Sequence, residues 1–330
     1  MEMKKNKYFL IGPYPPPLGG VSVYIYRSKK RLESMGVEAE VIDFSRMSIY
    51  EKIKFLLITS FLSPSYHTFH LDGFKFPLML MLIFRPFKSH IILHHHSIRR
   101  LDNLGRIQKW IARIFVRKID ECIMVGAHLK DGYVKNNLQL PKKITIQSPF
   151  VPPPMEDEQK IMDTYSYETK KFIAQAHPLI VGNASVITFH NGFDLYGLDI
   201  SIKMIDKLKE KHKDIGLIFA LAEIGDEAYF DEIKKKINLS GLENNIHFIT
   251  GQKELWPLFK HANLMVRPTY SDGYGISIEE ALYLECPAIA SDVCKRPEGT
   301  VLFKNRDLDD FITKVENSIG QMNGVSKEKV

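Results

Sequence analysis

Short runs of β-branched and apolar residues alternate with longer helix-compatible segments along almost the whole chain, and this alternation constrains the fold more than any other feature. In the first half KYFLIG (residues 7–12) precedes a helical stretch at Val21–Met35, and EAEVIDF (residues 38–44) follows it. Further candidate strands lie at Tyr66–His70, His90–His94, Cys122–Val125 and Ile144–Gln147, with Gly105–Lys118 reading as a helix. Strands separated by helices, without tight hairpin signals, pair in parallel with the helices on the sheet faces. The stretch SPFVPPP (residues 148–154) cannot be helical, because proline fixes its own φ and pushes its predecessor toward extended backbone. Beyond it the alternation resumes, at Val186–Phe189, Ile202–Lys211, Leu217–Leu221, Tyr229–Ile237, Ile246–Phe248 and Leu264–Arg267. A chain of 330 residues also exceeds what one hydrophobic core usually covers. The expectation is an α/β protein of two doubly wound, Rossmann-like domains, residues 1–150 and 151–330. They would face a central cleft, since open α/β sheets bind ligands beyond the carboxyl ends of their strands.

Composition excludes several other classes. With 45% hydrophobic and 25% charged residues the chain is neither collagenous nor low-complexity. Cys122, Cys286 and Cys294 form no C-x2-C pair, which argues against a disulfide scaffold or a cysteine zinc site and suggests a reducing compartment. The apolar run Tyr8–Gly12 after the start is too short for a signal peptide, and Phe76–Phe84 falls well short of the roughly 20 residues that span a bilayer. A cytoplasmic protein is expected.

Charge is unevenly divided. Residues 1–150 hold 24 Lys and Arg against 11 Asp and Glu, a balance of +13, and residues 151–330 hold 21 against 28, a balance of −7. A basic half next to apolar stretches such as IKFLLITSFL (residues 53–62) and FPLMLMLIFRPFK (residues 76–88) suits an anionic membrane surface. A solvated basic surface over core helices is the alternative. No finger, basic zipper or RNA-binding aromatic motif is present, so nucleic acid is not expected as a partner.

The most informative segment runs from Arg267 to Asp292, RPTYSDGYGISIEEALYLECPAIASD, and reads as strand, glycine-bearing loop, helix and short strand. Gly273 and Gly275 let the backbone approach a ligand, and Ser277 is placed to cap a helix beginning near Ile278. The free N–H groups of such a helix start attract phosphate. Asp272 and Glu280 flank this cradle with seven residues between them; Glu279 competes, but the spacing selects Glu280.

This string resembles the D/E-x7-E signature of retaining, nucleotide-sugar-dependent glycosyltransferases of the GT-B fold, family four (glycosyl transferases group 1), of the surface polysaccharide biosynthesis type. The trailing EAL, PAIASD and Arg296-Pro-Glu-Gly belong to the likeness. It implies that Asp272 contacts hydroxyls of the donor sugar, Glu280 holds the ribose, and the backbone of Tyr274, Gly275, Ile276 and Ser277 meets the diphosphate. GPYPPPLGGVS (residues 12–22) resembles the family's glycine loop after the first strand, which makes Gly19 and Gly20 donor-binding candidates. A histidine at the end of the strand His90–His94 is implied to lie near donor sugar and acceptor. Three consecutive histidines cannot share one face of a strand, so LHHHS (residues 93–97) is no trihistidine metal site. His94 and His96 share a side and are the catalytic candidates, with His95 structural. Arg99 and Arg100 could meet an acceptor phosphate or be exposed helix-start charges.

Two departures stand out. Where the family carries an arginine and a lysine that neutralise the diphosphate, this chain offers Ser185 and Tyr196. Arg267, Lys253, Lys295 and Arg296 are the nearest cations in sequence, with Arg267 taken as the donor-binding candidate. The usual glycine before Pro287 is replaced by Glu285-Cys286. No metal or other cofactor is expected; Asp307-Leu-Asp309 has the letters of a metal-binding D-x-D, but capping of the C-terminal helix accounts for it better.

The expected function is that of a metal-independent, hexosyltransferase-type enzyme. It would move a sugar, with retention, from a nucleoside diphosphate donor to a glycan or polyprenyl-linked acceptor at the cytoplasmic face of the membrane, as in capsule or O-antigen synthesis. Residues 1–150 would bind acceptor and residues 151–330 the nucleotide sugar. The rivals are a non-catalytic sugar-nucleotide-binding partner of another transferase and a sugar-nucleotide epimerase on the same architecture.

Overall fold

The structure is a computed structural model and describes residues 7–63, 65–96 and 104–325, with side chains through residue 321. The chain divides into two units, Met1–Val151 and Pro152–Val330.

The first unit holds β1 (Tyr8–Ile11), α1 (Gly20–Ser34), β2 (Ala39–Ile42), α2 (Ile49–Leu57), β3 (His67–Asp72), α3 (Phe76–Phe84), β4 (Ser89–His95), α4 (Arg106–Val116), β5 (Glu121–Met124), α5 (Leu129–Lys135) and β6 (Ile144–Ile146). Its six strands form one sheet in the order β2-β1-β3-β4-β5-β6, and every pairing is parallel. The register sets Asp72 opposite His94 and Ile11 opposite Leu71, so Gly12, Asp72 and His94 gather at one carboxyl edge. Gly12 is the close-approach glycine there: a Cβ would lie 3.1 Å from Ile25 Cδ1 and 3.2 Å from Asp72 Cβ. α2 starts with a reciprocal cap between Ser48 and Glu51 and runs into a π-helical turn at Ile58–Leu62. It packs on α3, which in turn packs on α4.

The second unit holds α6 (Glu158–Met162), α7 (Tyr167–Gln175), β7 (Leu179–Val186), β8 (Phe189–His190), β9 (Phe193–Asp194), α8 (Leu198–Leu208), β10 (Gly216–Glu223), α9 (Glu227–Leu239), β11 (Ile246–Thr250), α10 (Trp256–His261), β12 (Leu264–Arg267), α11 (Ile276–Tyr283), β13 (Ala288–Ser291), β14 (Val301–Phe303) and α12 (Leu308–Val325). Its main sheet is again six-stranded and parallel, in the order β11-β10-β7-β12-β13-β14. Central strands alternate between two cores. Ile180, Leu217, Phe219, Leu221, Leu264 and Val266 enter one cluster, while Val181, Ile218, Ala220 and Met265 enter the other. Both faces are therefore buried, which explains why these strands read as continuous apolar runs. Burying each such side chain stabilises the fold by about 1.5–3 kcal/mol.

Two expectations of the second half need correction. The strand placed at Val186–Phe189 is in fact Leu179–Val186; it begins directly after Pro178 and passes through Gly182 and Asn183, whose low strand propensity masks it. The chain also contains a tight antiparallel hairpin, Phe189–His190 against Phe193–Asp194. Its turn is Asn191-Gly192, both at positive φ (51° and 80°), the dipeptide that favours hairpins with this backbone twist.

No helix among the described residues is long and apolar enough to cross a membrane.

Candidate functional site

The loop after β12 gathers most of the candidate donor-site residues. Arg267 ends that strand, and its Nε donates to Asp272 Oδ2 at 2.6 Å. Arg296 reaches the same oxygen from the loop after β13, Nη1 to Oδ2 at 2.7 Å. Thr269 Oγ1 adds a third, longer contact at 3.4 Å, and Asp272 Oδ1 accepts from the Gly273 amide at 2.8 Å. Burial alone would push the Asp272 carboxyl up, but the Arg267 and Arg296 guanidiniums override it and hold it far below the usual carboxylate range.

Gly275 has two reasons to be glycine. Its φ is +91°, and a Cβ there would sit 2.7 Å from Ile278 Cδ1 and 3.1 Å from Arg296 Nη1. Gly273 has neither restriction, since nothing lies within 4 Å of its would-be Cβ. The helix starts earlier than a serine cap would require. Ile276 is its first residue and Gly275 its cap, so the cap expected at Ser277 is not formed; Ser277 lies in the first turn, where its Oγ accepts from Arg267 Nη1 at 3.3 Å. Tyr274, half-buried, turns its carbonyl toward Arg296 Nη1 at 3.4 Å. Glu280 falls on the buried side of α11 and Glu279 on its half-buried side, so the helix itself separates the two carboxylates that sequence spacing had to choose between.

The positions where diphosphate cations were expected lie beside Arg267. Ser185 Oγ and Tyr196 Oη are hydrogen-bonded at 2.7 Å, and the Arg267 guanidinium sits 5.7 Å from the centre of the Tyr196 ring. Arg267 Nη1 also reaches Asn183 Oδ1 at 3.5 Å. Of the other cations near in sequence, half-buried Lys253 donates to the Thr164 carbonyl at 2.7 Å, and Lys295 is exposed. Arg296 is enclosed instead, its side chain 1% exposed.

The first unit carries the remaining candidates at its own carboxyl edge. His94 and His96 do share a side: their rings stack at 4.2 Å, and His70 of β3 stacks on His94 from beyond at 5.6 Å. Tyr24 of α1 meets the His94 and His96 rings edge-on at 4.6 and 5.0 Å. His95 points the opposite way, Nε2 to Tyr133 Oη at 2.7 Å, within the core. Burial lowers the pKa of His70 to about 4, with nearby His96 adding to it, and burial followed by His96 and His70 pushes His94 lower still. His70 and His94 are thus neutral near pH 7. Gly19 caps α1 in extended backbone and Gly20 is its first residue, both exposed. Arg99 and Arg100 lie outside the described residues.

Sequence reasoning missed His70 and Tyr24, which enter through tertiary stacking that no local pattern signals. It also missed Thr269 and Ser291, both fully buried, whose hydroxyls meet Arg296 Nη2 at 2.9 and 3.1 Å. Among the described residues no group of three His, Cys, Asp or Glu side chains is placed to hold a metal ion. Asp307 caps α12 by accepting the Asp310 amide at 3.1 Å.

Residues 170–316 match the family described as glycosyl transferases group 1. The lipopolysaccharide glucosyltransferase WaaG of Escherichia coli is 24% identical over 155 residues, 47% of this chain and 39% of WaaG, so the chain spans under half the length of that relative. Two solved structures align along nearly the whole chain. A glycosyltransferase from Rickettsia africae has a TM-score of 0.63 at 13% identity, covering 97% of this chain and 89% of its own. HepE of Anabaena, solved in complex with UDP and glucose, has a TM-score of 0.59 at 12% identity, covering 96% of this chain and 91% of its own. Likeness at this identity establishes the fold, two Rossmann-like domains of the GT-B type.

Proposed function

From a chain of the GT-B fold whose residues 170–316 match the glycosyl transferases group 1 family, we propose a metal-independent, retaining glycosyltransferase that moves a hexose from a nucleoside diphosphate to a glycan acceptor. The observation that carries this reading is the loop of Arg267–Ser277. It presents a carboxylate, the Arg267 guanidinium and a glycine-started helix, and Arg296 joins them from the loop after β13. In the reaction the bond between the anomeric carbon and the diphosphate oxygen breaks, and an acceptor hydroxyl passes its proton to the leaving diphosphate as the new glycosidic bond forms. The leaving diphosphate gains negative charge, which helix-start N–H groups and a guanidinium stabilise when already oriented. Asp272 would hold sugar hydroxyls, Glu280 the ribose, and the backbone of Gly273 to Ser277 the diphosphate. Gly19 and Gly20 would leave bare backbone for substrate.

The first unit would bind the acceptor through His94 and His96. The neutral imidazole of His94 suits hydrogen bonding to a sugar hydroxyl rather than binding of phosphate. A lipid-linked acceptor at an anionic membrane, as in capsule or O-antigen assembly, is supported by the basic balance of residues 1–150 and by an outward-facing apolar stripe on α2 and the π-helical turn that continues it. Tyr50, Ile53, Leu57, Phe61 and Leu62 recur at helical spacing along it, all exposed. The WaaG likeness favours a lipopolysaccharide-type product.

The test is release of nucleoside diphosphate from a panel of nucleotide sugars with and without glycan acceptors, using Glu280→Gln as the control. Acceptor-dependent release that falls at least tenfold in the variant is expected. If no sugar nucleotide is bound or consumed, the reading fails; binding without turnover would mark a non-catalytic partner instead.

A further inference from the structure

We infer that Arg267, presented on the Tyr196 ring, is the donor-diphosphate cation of this chain, and that Arg296 is the positioning residue that frees it for that role. The inference rests on the nucleotide-sugar reading above and deepens it.

The two arginines on Asp272 are not equivalent. Arg296 spends its donors on the protein: Nε on the Ser291 carbonyl at 3.0 Å, Nη1 on Asp272 at 2.7 Å and the Tyr274 carbonyl at 3.4 Å, and Nη2 on Thr269 and Ser291 hydroxyls at 2.9 and 3.1 Å. A guanidinium has five N–H donors, and all five are engaged. With its side chain 1% exposed, Arg296 has neither a free donor nor an open path to a ligand.

Arg267 uses Nε on Asp272 at 2.6 Å and Nη1 on Ser277 and Asn183 at 3.3 and 3.5 Å. Its Nη2 makes no hydrogen bond among the described residues, and the side chain is 11% exposed. Two donors are therefore available beside the first turn of α11, where the Ser277 contact fixes the guanidinium. Arg267, Arg296 and Asp272 together leave one positive charge for an incoming anion. A guanidinium with two Nη2 donors left over beside helix-start N–H groups suits an incoming phosphate oxygen.

The neighbours explain the missing pair. Ser185 and Tyr196 occupy positions where the family resemblance calls for cations, yet here they bond each other, and the Tyr196 ring faces the Arg267 guanidinium at 5.7 Å. A cation at either position would stand against Arg267 and repel it, whereas an aromatic face attracts it. The charge stands at the end of β12 instead of at the end of β7 and the segment after β9.

Calorimetric titration with UDP, GDP and ADP, each alongside its nucleoside, tests the assignment on the wild type, Arg267→Met and Arg267→Lys. Methionine keeps apolar bulk on Tyr196 without charge. The wild type should bind at least one nucleoside diphosphate more tightly than its nucleoside. Arg267→Met should weaken the diphosphate 10- to 100-fold with the nucleoside unchanged, and Arg267→Lys should fall between. Adding Ser185→Arg to Arg267→Met should recover part of the loss. Equal diphosphate affinity in the wild type and Arg267→Met overturns the inference while leaving the transferase reading intact. A wild type that binds no nucleoside diphosphate defeats the transferase reading itself. Should Arg267→Met fail to fold, Arg267→Lys decides: it retains folding with a diphosphate-specific loss if the inference holds, and unchanged diphosphate affinity overturns it.

Discussion

Arg296 and Asp272 form an ion pair in which the guanidinium side chain is 1% exposed and the carboxylate 14%, with Nη1 2.7 Å from Oδ2. The pair ties the loop after β13 to the loop after β12, so it shapes the site whether or not a ligand is present. Removing one partner of a buried pair leaves the other charge uncompensated, which typically costs about 3–5 kcal/mol. Asp272→Ala should therefore lower stability by roughly 3 kcal/mol in urea titration at pH 7. Because the folded carboxyl is depressed, its contribution is full above pH ~4 and fades as pH falls below that. An Asp272→Ala protein as stable as the wild type at pH 7 would contradict the pairing. Lost activity in this variant is accordingly ambiguous, and Glu280→Gln is the better probe of chemistry.

The two loop glycines separate backbone demand from ligand demand. Gly275→Ala meets both a left-handed φ of +91° and a 2.7 Å clash with Ile278, and should cost about 1–3 kcal/mol. Gly273→Ala meets open space and should leave the melting temperature unchanged. If Gly273→Ala nonetheless weakens nucleotide binding, the glycine is kept for close approach of the ligand. A destabilised Gly273→Ala with a normal Gly275→Ala would reverse this assignment.

Glu285 stands at φ +61° just past the end of α11, where a helix commonly closes on glycine. The Cys286 amide still bonds back to the Ala281 carbonyl at 2.9 Å, so the turn forms despite its side chain. Glu285→Gly should raise stability by about 0.5–1 kcal/mol, seen as a higher urea midpoint at unchanged slope. A lower midpoint would mean that the Glu285 side chain contributes more than its backbone strain costs.

Much of this was legible in the sequence, and the boundary is physical. Parallel α/β architecture followed from alternation, because strands buried on both faces must be continuously apolar. The D-x7-E loop was readable because its glycines, carboxylates and helix start are local. The role of Arg267 against that of Arg296 was not, since it depends on which donors are already spent on Ser291 and Thr269, residues brought together by the pairing of β12 with β13. The hairpin was readable and overlooked: Asn191-Gly192 is a hairpin signal standing between two-residue strands too short to show a period.

The stacked His70 and His94 make stability depend on pH. His70 takes a proton near pH 6.5 when unfolded but only near pH 4 when folded, so acid favours the unfolded chain. The His70 contribution is full above pH about 6.5 and is lost as pH falls toward 4, on the order of 3 kcal/mol. Urea midpoints at pH 7, 6 and 5 should fall steadily in the wild type and less steeply in His94→Leu. Parallel pH profiles for the two proteins would rule the stack out as the source.

The outer stripe of α2 yields the last prediction. A helix on a sheet normally turns its apolar face inward, yet here Phe55 and Leu56 pack inward while Tyr50, Ile53, Leu57 and Phe61 also line the outside. On α4, Ile107 and Trp110 are exposed among Arg106, Lys109 and Arg113, with Arg117 just past its end, and α3 packs against both helices. Apolar side chains beside cations on neighbouring helices suit the headgroup region of an anionic bilayer, where each basic residue adds about 1 kcal/mol near the surface. The protein should cosediment with vesicles containing phosphatidylglycerol and not with pure phosphatidylcholine, and high salt should release it. Changing Ile53, Leu57 and Phe61 together to Ser should abolish binding and leave nucleotide affinity intact, because those residues belong to the other unit from the donor loop. Wild-type binding to both vesicle types alike, or to neither, would remove the membrane from the account and leave the stripe to a protein partner.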